Sequence, residues 1–560
     1  ALRGGRLTLS HDGIVNLNAQ NIGGIEALTA GVAAGTQAAV SGAISVNVGK
    51  NDTRAEIAQY EVTKGRMVDA EIRGAKSVRV TTLDQTRQDA AVGGVSASTQ
   101  GGAVGASVAF NALLGQQNTA RISGAKIRLA EGGMVDVNAK NKGELNTVAL
   151  NVAGSGGSVA FAGAAAVADV DQDTTAEIVS SDIEAEAGKT AGDVTVQADG
   201  KLTARTFAIV GSGSSEGAAI GAGVAVNLLD ADTNAVISGG KIHAANVITD
   251  VRSDLDILNI GMGVAASSEG VAVSGSVAVN KIDNDTRAKI TDGAKVTARK
   301  NAVVTAASDD RIQNYSGQLT ASAEGAAAGV SVSTNIIGSH TDAEISGRGT
   351  EVISHTKNTD AATTVKDGLD HDKLYNAPLT LGTLTGLDGL SAGRKENTYR
   401  GVAVSASATH TENSFLVNAG VTGMGAVVSG TVNTNVIGGT TSAKITDATA
   451  KAAGADVSVR ADDATNSGAL VGTVSVAGEG AALGTGSSIN LVNRTTQAAA
   501  ERSTITAKNA AIAARSGQGI AALTMGVSFA DEFGAANSNN FVRMEQHTNA
   551  ALTDSKVDVS

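Results

Sequence analysis

An Asn followed six residues later by Thr recurs six times in this chain, as Asn47 and Thr53, Asn227 and Thr233, Asn280 and Thr286, Asn335 and Thr341, Asn435 and Thr441, and Asn490 and Thr496. Two residues beyond each Thr stands Ala (Ala55, Ala235, Ala288, Ala343, Ala443, Ala498), and Ala120, Ala176 and Ala550 continue the column in degenerate copies. A Glu-Gly pair lies eleven residues before the Asn in four copies, at Glu216, Glu269, Glu324 and Glu479, which marks a turn there. Successive copies are 52 to 65 residues apart, with one gap of 100 between Ala343 and Ala443. Self-similarity of this kind is the signature of a stack in which each unit buries its apolar face only against its neighbours.

The local period identifies the units as β. Ile220, Ala222, Val224 and Val226 alternate with Gly221, Gly223, Ala225 and Asn227, and Val273, Gly275, Val277 and Val279 repeat that phase one copy on. Alternation with period two predicts strands. A second alternating run, V-x-V-x-A, precedes these segments by about 25 residues, as at Val135-Val137-Ala139, Val194-Val196-Ala198 and Val457-Val459-Ala461. Each copy is therefore expected to hold four strands: this run, a segment ending G-V-A-x-S, the run into Asn, and the T-x-A-x-I run. The Glu-Gly turn would join the middle pair, and Asp292-Gly293 is a further tight-turn signal. Opposite the valines, runs such as GAGVAVN carry Gly, Ala and Ser where a solvated strand would carry charge. That small face is either covered by another layer of the same unit or left as a flat strip for lateral association.

Aromatic residues make up 2% of the chain, with no Trp and 69 Gly, a composition suited to a stack with a thin interior. The single proline, Pro378, agrees with a chain built of sheet. A net charge of −12 argues against a nucleic-acid or anionic-membrane partner. Cysteine is absent, so disulfide and thiolate chemistry is excluded. No apolar run is long enough for a membrane helix. The chain opens and closes inside repeats and carries no signal peptide at Ala1, so a fragment of a longer protein is expected.

These features divide the chain into repeats over 1–347, an inserted region over 348–400, and repeats again over 401–560. The insertion is more charged, holds Pro378, lacks Gly/Ala alternation and is expected to project from the stack. Asp169, Asp171 and Asp173, Asp230 and Asp232, and Asp283 and Asp285 cluster before the Thr column. D-x-D-x-D offers the oxygens that calcium requires, and these are the calcium candidates, with solvated turns as the plainer reading. Other copies have GSHT, GGTT or NRTT there. Asp370-His371-Asp372, near Asp367, could ligate a metal or simply belong to a polar loop. No nucleophile elbow or zinc-protease motif occurs, so no catalytic or cofactor-binding residue is expected.

The VxVxA strands, the block from Gly263 to Asn280 and the run from Asp285 to Val296 resemble the repeat region of the large filamentous exoproteins of Gram-negative bacteria, particularly the leukotoxin-type filamentous adhesins. The resemblance spans the chain outside about 348–400. It implies an all-β elongated solenoid, a right-handed parallel β-helix of about 55-residue repeats, exported by a two-partner or autotransporter route. The implied role is a non-enzymatic adhesive shaft, secreted or at the cell surface, that contacts a host or bacterial receptor, with lateral self-association expected of the small strand face if it is left uncovered. The alternatives are a cytotoxin segment acting on host cells and a carbohydrate-active β-helix enzyme. With two or three turns of the coil per repeat, the rod would be about 100 Å long. Intervening turns would then keep the Asn column from forming a continuous ladder.

Overall fold

In the computed structural model, which describes residues 1–357, 359–369 and 394–559, strand alternates only with short turns. A copy contains two long strands and one short one in place of four. In one copy these are Val247–Ser267, which approaches the Glu-Gly turn, Ala272–Thr291, which returns from it, and the short Lys295–Ala298. The two expected strands on either side of the turn are each fused into one, since nothing between them breaks the alternation. Asp292 and Gly293 have positive φ (56° and 76°) and turn the corner from the return strand into the short strand. They do not form a hairpin, because both flanking strands pair with other coils.

Those pairings are parallel and join each copy to the equivalent residues of the next. Val224 lies beside Val277, Asn227 beside Asn280 and Thr233 beside Thr286, and the following copy brings Val332, Asn335 and Thr341 alongside. One repeat therefore makes one full coil, contrary to the two or three expected. The inserted region is stepped over: Asn335 pairs with Asn435. Among the described residues nine coils stack in this way, marked at the Asn position by Asn47, Asn111, Ala168, Asn227, Asn280, Asn335, Asn435, Asn490 and Val542. At about 4.8 Å per coil the stack is on the order of 40 Å high, while a 21-residue strand spans about 70 Å. The described chain is thus a slab, broader than it is tall, and not the slender rod expected.

Approach and return strands form two layers that face each other. Near the corner with the short strand the interior is aliphatic: Val194, Val196, Ala235, Ile237, Val247, Ile290, Val296 and Ile345 belong to one continuous buried cluster. Burying one such Ile or Val contributes about 1.5–3 kcal/mol. Toward the Glu-Gly turn the assignment reverses. Gly221, Gly223 and Ala225 point inward, and Val224, which is 36% exposed, points out. The layers meet there at backbone distance. A methyl group at Gly221 would lie 3.2 Å from the carbonyl oxygen of Val264 in the facing strand, and one at Gly31 2.8 Å from that of Gly42. The small face is therefore covered by the other layer of its own coil, as one of the two expectations had it, and the valines form the outer surface.

The turn itself is stacked as tightly. A methyl group at Gly270 would come within 2.1 Å of the Gly217 carbonyl oxygen one coil away. The Ser267 hydroxyl donates to the Gly217 carbonyl at 2.6 Å and accepts from the Gly270 amide at 3.0 Å. Ser322 donates likewise to Gly270, at 2.7 Å.

The region 348–400 begins within the stack, since Glu351–Ser354 pairs with Lys295–Ala298 on one side and with Thr449–Lys451 on the other. Its described remainder, Thr363–Leu369 and Arg394–Tyr399, is an antiparallel hairpin. Val365 and Tyr399 pack on Val303 and Ala403, and Leu369 packs on Ala464. This part of the insertion lies against the outside of the approach layer and does not project from it. Pro378, Asp370, His371 and Asp372 lie outside the described residues.

Candidate functional site

The calcium candidates are brought together by the stacking. Asp171, Asp230 and Asp283 form one column on the outside of the return layer, Asp173, Asp232 and Asp285 form a second, and Asp169 stands beside Leu228. Partial burial, followed by repulsion from neighbouring aspartates, raises the carboxyl groups of Asp169, Asp173, Asp230 and Asp232 above the usual range. The columns also contain their own cations. Lys281 lies 3.1 Å from Asp283, and Arg287 pairs with Asp285 and lies 3.8 Å from Asp232. Columns of parallel carboxylates partly neutralised in this way fit a calcium ion poorly, and among the described residues no three His, Asp or Glu side chains form a set able to hold a metal. Asp367 is buried within the hairpin and accepts from the Tyr399 hydroxyl; burial, then the neighbouring Asp367, pushes Tyr399 up.

Inside the slab the Asn column forms a ladder of side-chain amides. Asn47 donates to Asn111 at 3.0 Å, Asn227 to Asn280 at 2.8 Å, Asn280 to Asn335 at 2.7 Å, Asn335 to Asn435 at 3.0 Å and Asn435 to Asn490 at 2.8 Å. This overturns the expectation that intervening turns separate the copies. The ladder is broken at Ala168, which sits between Asn111 and Asn227. The approach layer supplies further partners: Asn259 donates to the Asn280 oxygen at 2.8 Å, and Thr206 donates to Asn227. Beyond the Asn row lies an aliphatic row of Leu229, Ile282, Ile337, Ile437 and Val492.

Past that row, in the coils beside the insertion, the interior is ionic. Arg494 is fully buried, with Nη2 2.6 Å from Asp463 Oδ2 and 3.0 Å from Thr441 Oγ1; its Nη1 donates to the Ser339 carbonyl at 2.9 Å and the Gly438 carbonyl at 2.8 Å. The guanidinium occupies space that only a glycine leaves open, because Gly439 has a φ of 120° and a methyl group there would lie 2.7 Å from Nη1. Burial alone would raise the Asp463 carboxyl, but Arg494 and then His410 beside it hold it well below the usual range. His410 Nδ1 lies 3.1 Å from Asp310 and Nε2 3.7 Å from Asp463. Two rows away, burial pushes Glu412 up to about 8 against the lowering effect of Ser414 and Ser467, which hydrogen-bond to it. These ionic groups lie inside the slab and bond to one another and to neighbouring hydroxyl and carbonyl groups.

Sequence reasoning set Arg494 aside as part of a copy without aspartate. Its parity was available: it stands four residues after Asn490, on the inward face that Asn490 and Thr496 share.

The outer surface carries aliphatic columns instead. On the return layer Ile44, Val108, Ala165, Val224, Val277, Val332 and Val432 are consecutive neighbours. Beside them runs a shallower row of small residues, Gly42, Ala106, Gly163, Ala222, Gly275 and Gly430, interrupted by Val330. On the approach layer an apolar groove is lined by Met262, Val264, Tyr315, Leu319, Phe415 and Val417, opened where Gly317 lacks a side chain. Tyr315 and Phe415 meet in it with ring centroids 6.5 Å apart. Among the described residues no helix is long and apolar enough to cross a membrane. Comparison with family models, curated proteins and solved structures yields no match to this chain.

Proposed function

We propose that this chain is a structural and adhesive segment of a secreted or surface-displayed exoprotein of a Gram-negative bacterium, a right-handed parallel β-helix that meets host cells or other bacteria through its broad outer faces. The observation that carries this reading is the separation of roles between inside and outside. Polar and ionic side chains pair with each other in the interior, while the exterior repeats the same aliphatic and acidic rows from coil to coil. Such a surface offers contact over many coils. At about 55 residues for each 4.8 Å of height the coil yields little reach and much lateral area, which favours contact over spacing.

A cytotoxic role is the second reading, favoured by one observation: the outward aliphatic rows run for about nine residues from Val271 to Val279, roughly 30 Å of strand, close to the hydrocarbon thickness of a bilayer. The two are separated by coating beads with the purified chain and presenting them to epithelial cells and to leukocytes. Saturable attachment without release of cytosolic enzyme is the expected result, and lysis without attachment would overturn the adhesive reading.

A further inference from the structure

We infer that the outer face of the return layer is a self-association surface, on which a second copy of this chain packs sheet against sheet. The inference goes beyond adhesion to other cells and does not require the chain to be displayed. Its basis is the column Ile44, Val108, Ala165, Val224, Val277, Val332 and Val432, in which Val277 and Val432 are each 40% exposed. A sheet face that meets only water normally alternates polar residues outward. Here the outward positions nearest the turn are aliphatic or small in coil after coil, and charge begins only at the row of Asp169 and Lys281.

Area selects the occupant. About nine residues of strand by seven coils gives a patch of roughly 30 by 30 Å, on the order of 1,000 Å² per copy and about 2,000 Å² for a pair. A stable complex buries about 1,600 Å² in total, and monomers seldom expose a patch above roughly 600 Å². The relief is self-complementary: the valine ridge runs parallel to the row of Ala222, Gly275 and Gly430, interrupted only by Val330, so a two-fold axis along the stacking direction, midway between the two rows, lets each ridge lie in the other's trough. The approach layer is the less suitable face, because the hairpin of Thr363–Leu369 and Arg394–Tyr399 covers part of it. Lipid is the less suitable partner, because the acidic turns at Glu216, Glu269 and Glu324 stack at the apolar end. The same two-fold brings the aspartate columns of each copy near the acidic Glu-Gly turns of the other at the interface margin, so added salt strengthens the association by screening them.

The absence of cysteine makes a clean test available. Val277→Cys and, on the opposite face, Val264→Cys are each treated with a short bifunctional thiol reagent, and the unmodified chain is followed by sedimentation at 0.05 and 0.5 M NaCl. The expected results are a dimer that tightens with salt, cross-linking through position 277 and none through 264, and at least tenfold weaker dimerisation in Val277→Lys with unchanged β-sheet circular dichroism. A chain that stays monomeric at 100 µM in both salts would overturn the inference. So would cross-linking through 264 in preference to 277, or insertion of the return face into phosphatidylcholine–phosphatidylglycerol vesicles without self-association. The near-isosteric cysteine variants keep the test decisive if Val277→Lys does not fold.

Discussion

The two ends of each coil use the same alternating pattern in opposite senses. Beside the short strand, Ala235 and Ile237 point inward; near the Glu-Gly turn, Gly221 and Gly223 point inward and Val224 outward. The difference follows from what the interior must hold. Where the short strand adds a third side, the layers stand far enough apart for Ile and Val to fill the space. Where only two layers close on each other, the backbones approach until a single methyl group at Gly221 would touch the facing carbonyl. Side-chain volume sets the layer spacing, and the spacing then decides which face of a period-two strand is core.

Between these ends lies the ionic interior, and it gives the largest expected effect. Arg494→Leu strands Asp463 without its partner and costs about 3–5 kcal/mol in urea unfolding, whereas Arg494→Leu with Asp463→Leu recovers most of that loss. If the single and double variants unfold alike, the pair does not act as a unit. At the wide end, Ile290→Ala removes a fully buried side chain and lowers stability by about 2–5 kcal/mol. Gly221→Val at the narrow end acts through the opposite mechanism, overpacking, and costs about 1–3 kcal/mol. A neutral Gly221→Val would mean that the layers can separate there, and the contrast between the two ends would lose its physical basis.

Glu412 supplies a pH test of similar size. Its carboxyl is raised to about 8 from 4.5, so the folded state binds more protons than the unfolded state between those values. Stability from this group is fully present below about pH 4.5 and is lost as pH rises toward 8, a change on the order of a few kcal/mol. Comparing urea midpoints at pH 5 and pH 8, the unmodified chain should lose stability relative to Glu412→Gln; parallel pH profiles would count against the buried neutral acid. The smallest effect belongs to the outer surface: Val277→Thr should change monomer stability by less than about 0.5 kcal/mol.

Much of the architecture was legible because repetition and alternation are properties of the chain itself. The Asn and Thr columns, six residues apart, lie on one face in the sequence and inside the slab in the structure. The turn at Glu269-Gly270 and the corner at Asp292-Gly293 stand where their residues placed them. The aspartates were found as a cluster along the chain, but their assembly into two columns with Lys281 and Arg287 required the register between coils. The ionic interior around Arg494 and Asp463 was missed, although parity placed Arg494 on the inward face, because its partner lies 31 residues away in the other layer.

By itself, then, the sequence determined that the chain is strand, that equivalent residues recur, and where each coil turns, since these depend only on neighbours along the backbone. The tertiary structure decided that one repeat closes one coil, that the Asn amides join into a ladder, and that the return-strand valines beside the Glu-Gly turn face outward. Period two defines two faces without saying which is core. That choice rests on how closely the second layer approaches, a distance set by residues about 20 to 60 positions away.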